Sequence, residues 1–329
     1  MGRLMLTGAT GLVGANICEQ LRDRGDTVRA LVRDPGSASE LADSIEAVEG
    51  DVSDRTAVLA AAEGVDAIIH CAAILGGIGG RFPAELYEQV NLGGTMNVLE
   101  AAEAAAIPIA VLSTVAALQT ATVPVSETSP IPDSIENESP YTSTKRRALL
   151  EIERRTESGT LDARVIAPAG VYGPSPAVER ALVPTSFDND IRRALRGEVD
   201  RYARVPMGWS FVDDVVEVTL RSLDDGRPGD RFLAVSEPRE AATVAEFLTH
   251  ACELAGVEHR VEDVPPSVDP AYDAEFAGMA RLARRAFPTP LYDIEETCRR
   301  LNFSPTPVDE GLAATIAWLR ENGKLDPVR

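Results

Sequence analysis

Short apolar runs alternate with longer stretches of helical periodicity through the first half of the chain. Runs at Arg3–Thr7, Thr27–Val32, Ile45–Glu49, Asp66–His70, Pro108–Leu112 and Ala163–Ala167 have the length and composition of strands. Helical periodicity covers Leu12–Arg24, which stops at Gly25, then Ala84–Ala106 and Tyr141–Glu157. Alternation of this kind predicts an α/β fold, a doubly wound parallel sheet with helices on both faces. Such sheets bind ligands at the carboxyl ends of their strands.

Beyond about residue 175 the pattern loosens. Pro174, Pro176, Pro184, Gly197, Pro206 and Gly208 interrupt it. Helices are predicted at Asp213–Leu223, Val244–Ala255 and Asp309–Glu321, with a strand near Arg231–Val235. The chain is therefore read as a dinucleotide-binding domain over 1–175 and a smaller substrate lobe over 176–329 that returns some segments to the main sheet.

The first strand runs into Thr7-Gly8-Ala9-Thr10-Gly11-Leu12-Val13-Gly14, with glycines three apart, and a helix follows. A tight turn, close backbone approach to a pyrophosphate and close helix–sheet packing each require a residue without a side chain. The pattern predicts a Rossmann-type dinucleotide site at Gly8, Thr10, Gly11, Leu12, Val13 and Gly14. Cofactor choice is read at the end of the second strand. Val32 stands where an acid would bond the ribose 2′-hydroxyl, and Arg33 follows it, which favours NADP over NAD. NAD stays possible if Asp34 turns inward.

Tyr141 and Lys145 lie four apart in a predicted helix with Pro140 in its first turn. One helical face then carries both, about 6 Å apart along the axis. A phenol with an ordinary pKa of about 10 is a poor base near neutrality, and a neighbouring ammonium favours its ionised form. Just before, Ser113-Thr114 ends the strand over Pro108–Leu112 with two hydroxyls, either of which can hold a carbonyl oxygen.

The 329 residues carry a formal charge of −20. So acidic a chain repels phosphate backbones, which argues against nucleic acid as a partner. No apolar run is long enough for a membrane span. The fold starts at residue 3, so no signal peptide is read and a cytoplasmic protein is expected. Lys145 and Lys324 are the only lysines. Acid-rich, lysine-poor composition fits a salt-adapted cytoplasm, or GC-rich codon usage. Four scattered cysteines and three histidines give neither a disulfide framework nor a metal site.

Taken together, these motifs identify the chain as resembling the extended short-chain dehydrogenase/reductase superfamily, the group labelled NAD-dependent epimerase/dehydratase. Gly50-Asp51-Val52 looks like its adenine-contacting pair, and His70-Cys71-Ala72-Ala73 sits where it carries a small-residue segment after the fourth strand. Val90-Asn91-Leu92-Gly93-Gly94-Thr95, Pro168-Ala169-Gly170-Val171-Tyr172-Gly173-Pro174 and Phe211-Val212-Asp213-Asp214-Val215 resemble further family motifs. The resemblance implies that Tyr141 is the general acid/base, that Lys145 lowers its pKa and bonds the nicotinamide ribose, and that Thr114 aligns the substrate oxygen, with Ser113 as its neighbouring alternative. It also implies that Asp51, Val52, Ala72, Ala73, Pro168 and Val171 contact the cofactor. Asn91 positions its helix or a water, and Asp213 and Asp214 are read as helix capping. Many relatives dimerise through the helices here predicted at Ala84–Ala106 and Tyr141–Glu157, so a homodimer is expected.

Nucleotide-sugar members carry a Gly-Asp-Gly-x-x-x-Arg-Asp-Phe-like segment where this chain has Arg204-Val205-Pro206-Met207-Gly208-Trp209-Ser210-Phe211. The second strand, Val28–Pro35, looks like that of NADP-using reductases such as dihydroflavonol reductases. Both favour an oxidoreductase that interconverts a secondary alcohol and a carbonyl on a small molecule. Against this, Arg192, Arg193, Arg196, Arg201 and Arg204 could grip a diphosphate, so a nucleotide-sugar epimerase or dehydratase with tightly bound NAD is the alternative.

Overall fold

A computed structural model describes residues 2–38, 41, 45–75, 82–118, 124–135, 138–236, 242–284 and 292–325. The first half runs β1 (Arg3–Thr7), α1 (Leu12–Asp23), β2 (Thr27–Val32), β3 (Ile45–Glu49), α2 (Arg55–Ala62), β4 (Ala67–His70), α3 (Ala84–Tyr87), a π turn (Glu88–Gly93), α4 (Gly94–Ala105), β5 (Ile109–Leu112), α5 (Pro140–Glu157) and β6 (Ala163–Pro168). The remainder runs β7 (Gly170–Tyr172), α6 (Val178–Ala181), α7 (Phe187–Leu195), β8 (Arg201–Ala203), β9 (Trp209–Phe211), α8 (Val212–Asp225), β10 (Arg231–Ala234), α9 (Val244–Ala255), β11 (Glu262–Val264), α10 (Pro270–Ala283), α11 (Glu295–Leu301) and α12 (Val308–Glu321).

Seven parallel strands form the main sheet in the order β10-β6-β5-β4-β1-β2-β3. The order reverses between β1 and β4, so a crevice opens there at the carboxyl ends. Strand side chains alternate between two cores, as a period of two requires. Met5, Ile109 and Val111 face α2, α4 and α5. Leu4, Leu6, Ala110 and Leu112 face α1 and α8. A third core joins α7, α9 and α12 around Tyr172, Trp209, Phe211 and Phe247. The pairs β7–β9 and β8–β11, both parallel, lie outside the main sheet.

Local sequence sets the helix starts. Ser139 caps α5, accepting from the Thr142 amide, and Pro140 occupies its first turn. Thr243 and Glu246 form a reciprocal capping box on α9. Asp54 caps α2 through the Thr56 and Ala57 amides. The single helix expected over Ala84–Ala106 is instead three successive pieces, because the chain widens into a π turn at Glu88–Gly93. Strands expected from Asp66 and Pro108 begin one residue later, at Ala67 and Ile109.

Candidate active site

The glycine turn joins β1 to α1. Gly8 has φ +77°, and a Cβ there would lie 2.7 Å from the Ala72 amide nitrogen. A Cβ on Gly14 would lie 2.1 Å from the Gly8 carbonyl oxygen, so α1 can pack this closely only with glycine there. Gly11 differs. Its Cβ would meet only that same oxygen, at 3.4 Å, and the residue is exposed. The packing of the fold therefore does not demand glycine at 11, whereas an approaching ligand would. No side chain caps α1 and its first turn holds no acid, which leaves its leading amides open to an anion. Leu12 and Val13 pack their side chains on the lobe and sheet cores. Thr10 is half-buried beside them. This cradle fits a dinucleotide pyrophosphate.

Arg33, just past β2, is exposed and without a partner among the described residues. Asp34 is spent locally: its carboxylate accepts from the Gly36 amide at 2.9 Å. Asp51 likewise accepts from the amide and hydroxyl of Ser53. Val52 is held by its carbonyl, which accepts from the Asn97 side chain at 2.9 Å.

A line of hydrogen bonds crosses the strand reversal. The Thr7 hydroxyl meets His70 Nδ1 at 2.7 Å, and the Ala72 amide donates to that hydroxyl at 3.3 Å. On the other side, His70 Nε2 lies 3.0 Å from the Thr95 hydroxyl, which donates to the Asn91 carbonyl at 2.6 Å. Thr95 has only one proton to give, so it must accept from Nε2–H. His70 is fully buried, and burial together with the Lys145 charge drives its pKa from 6.5 down to about 3. Asn91, also fully buried, clamps Ile74 by both amide and carbonyl, at 2.7 and 2.9 Å.

Thr114, Tyr141 and Lys145 converge at the end of β5. Thr114 caps the short 3-10 turn over Val115–Ala117, its hydroxyl accepting from the Ala116 amide at 3.2 Å, and that hydroxyl is near enough to the Tyr141 phenol to lower its pKa. Lys145 is buried and donates from Nζ to the Leu112 carbonyl at 2.8 Å. The expectation that Lys145 lowers the phenol pKa is not met. Burial pushes Tyr141 from 10 up to about 12, with the Thr114 hydroxyl opposing it. Burial also pulls Lys145 from 10.5 down to about 8. The Ser113 hydroxyl is buried without a partner among the described residues. Pro168 closes β6 and Val171 lies in β7, so the expected nicotinamide-side segment continues from the sheet beside β5. Between them the Ala169 amide donates to the Ser210 hydroxyl at 2.9 Å. A Cβ on Gly170 would meet Met207, Trp209 and Phe187 within 3.2 Å, so apolar groups crowd that point.

Two expectations need correction. Asp213 and Asp214 lie in the first turn of α8, which has no side-chain cap. Asp213 is exposed, and the buried Asp214 instead grips the amide and hydroxyl of Thr306, at 2.9 and 2.7 Å. The five lobe arginines do not form one grip. Arg193, Arg196, Arg201 and Arg204 pair with Asp190, Glu198, Glu262 and Asp263 respectively. Sequence reasoning passed over Thr7, Thr95 and Asn97 as site-building residues. Their signal was only that each lies within, or beside, a motif read for other residues. Among the described residues no group of side chains could hold a metal ion, and no helix is long and apolar enough to cross a membrane.

The family model for the NAD dependent epimerase/dehydratase family matches residues 4–234. Sterol demethylase protein B of Methylococcus capsulatus is 28% identical, covering 98% of this chain and 99% of that one. A 3 beta-hydroxysteroid dehydrogenase/Delta 5-->4-isomerase of Mycobacterium tuberculosis is 40% identical over 111 residues, covering 32% of this chain and 30% of that one. Among solved structures, UDP-glucose 4-epimerase of Thermotoga maritima with UDP-glucose superposes with a TM-score of 0.78 at 20% identity, covering 97% and 99% of the two chains, a likeness of fold. The chain belongs to the NAD-dependent epimerase/dehydratase family of the extended short-chain dehydrogenase/reductases, as an NAD-dependent enzyme of the oxidoreductase or epimerase kind.

Proposed function

We propose that this enzyme is an NADP(H)-preferring oxidoreductase that interconverts a secondary alcohol and a carbonyl on a bulky apolar molecule. The observation that carries the reading is the convergence of Thr114, Tyr141 and Lys145 at the end of β5. In this reading Gly8, Thr10, Gly11, Leu12, Val13 and Gly14 hold the pyrophosphate, and Asp51, Val52, Ala72 and Ala73 flank the adenosine half. Pro168 and Val171 flank the nicotinamide. When bound, the dinucleotide accepts or supplies the hydride. Thr114 holds the substrate oxygen and Tyr141 passes it a proton in reduction, or takes one in oxidation. Lys145 steadies the nicotinamide ribose. The chain divides into a dinucleotide half, 1–175, and a substrate lobe, 176–329, in a cytoplasmic homodimer packed through α4 and α5.

Free Arg33 at the end of β2 supports NADP(H) over NAD(H). Relatives named for sterols support an apolar substrate. One observation favours a nucleotide-sugar epimerase or dehydratase: among the described residues Arg192 has no carboxylate in salt-bridge contact, and its buried Nε lacks a partner. The test follows NADPH oxidation with a panel of sterol ketones, alongside UDP- and dTDP-sugars. Net oxidation with the ketones, abolished by Tyr141→Phe, supports the proposal. Tightly held NAD with sugar epimerisation or dehydration and no net turnover rejects it. Arg33→Ala should weaken NADPH far more than NADH, and equal losses reject the NADP preference. A monomeric mass in light scattering removes the dimer.

A further inference from the structure

The hydrogen-bonded line through His70 adds side-chain bonds between two segments whose backbones already meet where the Cys71 amide donates to the Thr7 carbonyl at 3.1 Å. At one end is Thr7, the last residue of β1, from which the glycine turn springs. The Thr7 hydroxyl also receives the Ala72 amide, and Ala72 is the backbone that Gly8 touches. At the other end are Thr95 and Asn91, and the Asn91 side chain pins Ile74 two residues beyond Ala72. The segment 72–74 is thus held at Ala72 by the Thr7 hydroxyl and at Ile74 by the side chain of Asn91, the residue on whose carbonyl the line ends. Every proton in it points the same way: Ala72 N–H to Thr7, Thr7 O–H to Nδ1, Nε2–H to Thr95, Thr95 O–H to the Asn91 carbonyl.

We infer that His70 is a positioning residue for the cofactor, a neutral Nε2–H imidazole that sets the spacing between the glycine turn and the 72–74 segment. This rests on reading those segments as two walls of the dinucleotide site. Only a side chain that accepts at one end and donates at the other can replace it. A glutamine amide has that polarity and a leucine does not. Losing the bolt should loosen the walls and weaken the dinucleotide, while the hydroxyl, phenol and ammonium at β5 keep their places.

The experiment measures dissociation constants of NADPH and NADH by calorimetry for wild type, His70→Leu, His70→Gln and Thr7→Val. Steady-state kinetics at saturating cofactor and a 15N spectrum of the wild-type imidazoles accompany them. The expected result is an Nε2–H tautomer for His70 that does not titrate between pH 5 and 8. With one or two buried hydrogen bonds lost, His70→Leu should bind both dinucleotides about tenfold or more weakly, with kcat within about twofold of wild type. His70→Gln should recover most of the affinity. Thr7→Val should show a like loss that does not add to that of His70→Leu. A protonated Nδ1, wild-type affinity in either Thr7→Val or His70→Leu, no recovery by glutamine, or kcat falling in step with affinity would overturn the inference. If His70→Leu does not fold, Thr7→Val and the tautomer decide. Wild type that binds no dinucleotide would sink the cofactor reading instead, which the tautomer measurement separates from this one.

Discussion

Lys145→Met should make the protein more stable and inactive. Lys145 is 5% exposed, and its one acceptor among the described residues is the Leu112 carbonyl, at 2.8 Å. Burial holds its pKa at about 8 against an ordinary 10.5. That difference corresponds to about 3 kcal/mol charged against the fold whenever the group is protonated in both states. Methionine has similar length, no charge and a flexible chain that fills the same space. Losing the bond to Leu112 returns about 1 kcal/mol, so the variant should gain about 2 kcal/mol at pH 7. The sign fixes the pH window. Below pH 8 both folded and unfolded lysine hold their proton and the full cost applies. Between about pH 8 and 10.5 the folded group has released its proton while the unfolded one keeps it, so wild type gains stability with rising pH. Urea unfolding at pH 7 and at pH 10 reads both points. A variant no more stable at pH 7, or an equal difference at both pH values, would refute the reasoning. The outcome expected is a stability cost accepted at a functional lysine.

The two glycines that clash differently should separate folding from binding. Gly14→Ala puts a Cβ 2.1 Å from the Gly8 oxygen and should lower the melting temperature by several degrees (about 2 kcal/mol or more), whereas Gly11→Ala should melt near wild type yet bind dinucleotide more weakly. Equal melting temperatures for both would contradict the packing account. His70 is neutral down to about pH 3 when folded but takes up a proton near 6.5 when unfolded, so the fold loses about 1.4 kcal/mol for each pH unit below 6.5 from this group. His70→Gln should show a shallower fall in urea-melt stability from pH 6 to 4, and an unchanged slope would reject the assignment. Asp214→Ala should cost about 2–3 kcal/mol by freeing Thr306, while Asp213→Ala should stay within about 0.5 kcal/mol. Chemical unfolding of the two variants that showed equal costs would argue against the latch.

Where local pattern and tertiary demand agree, the sequence was legible. The ranges Thr27–Val32, Ile45–Glu49 and Val244–Ala255 coincide with β2, β3 and α9, because apolar runs there are bounded by clear turn or cap residues. The π turn was not legible, since its extra residue leaves apolar spacing almost intact. Helix α7 was missed because Asp188, Asn189 and Asp190 are buried beside Ile191, so polarity no longer marks its outer face. Burial drives the Asp188 pKa up to about 8, and such a neutral acid reads in sequence like a solvent-facing one. Helix α10 carried the Asp269–Pro270 start signal, but its neighbours lay in the stretch read as irregular. In the candidate site, Thr114, Tyr141 and Lys145 were readable from spacing, but Thr7, His70, Thr95 and Asn97, which tie the neighbouring segments together, were not. Their partners lie on separate elements and meet only in three dimensions.

The seventh strand of the sheet is drawn from Arg231–Ala234, and the helix that covers α1 is α8. A fragment ending after residue 175 would therefore show a bare row of backbone groups along β6 and an uncovered greasy face on α1, an invitation to clump. For anyone wishing to graft a foreign recognition module onto this scaffold, the junction cannot be a single cut. The transplant must bring its own edge strand and its own covering helix, or leave these two behind.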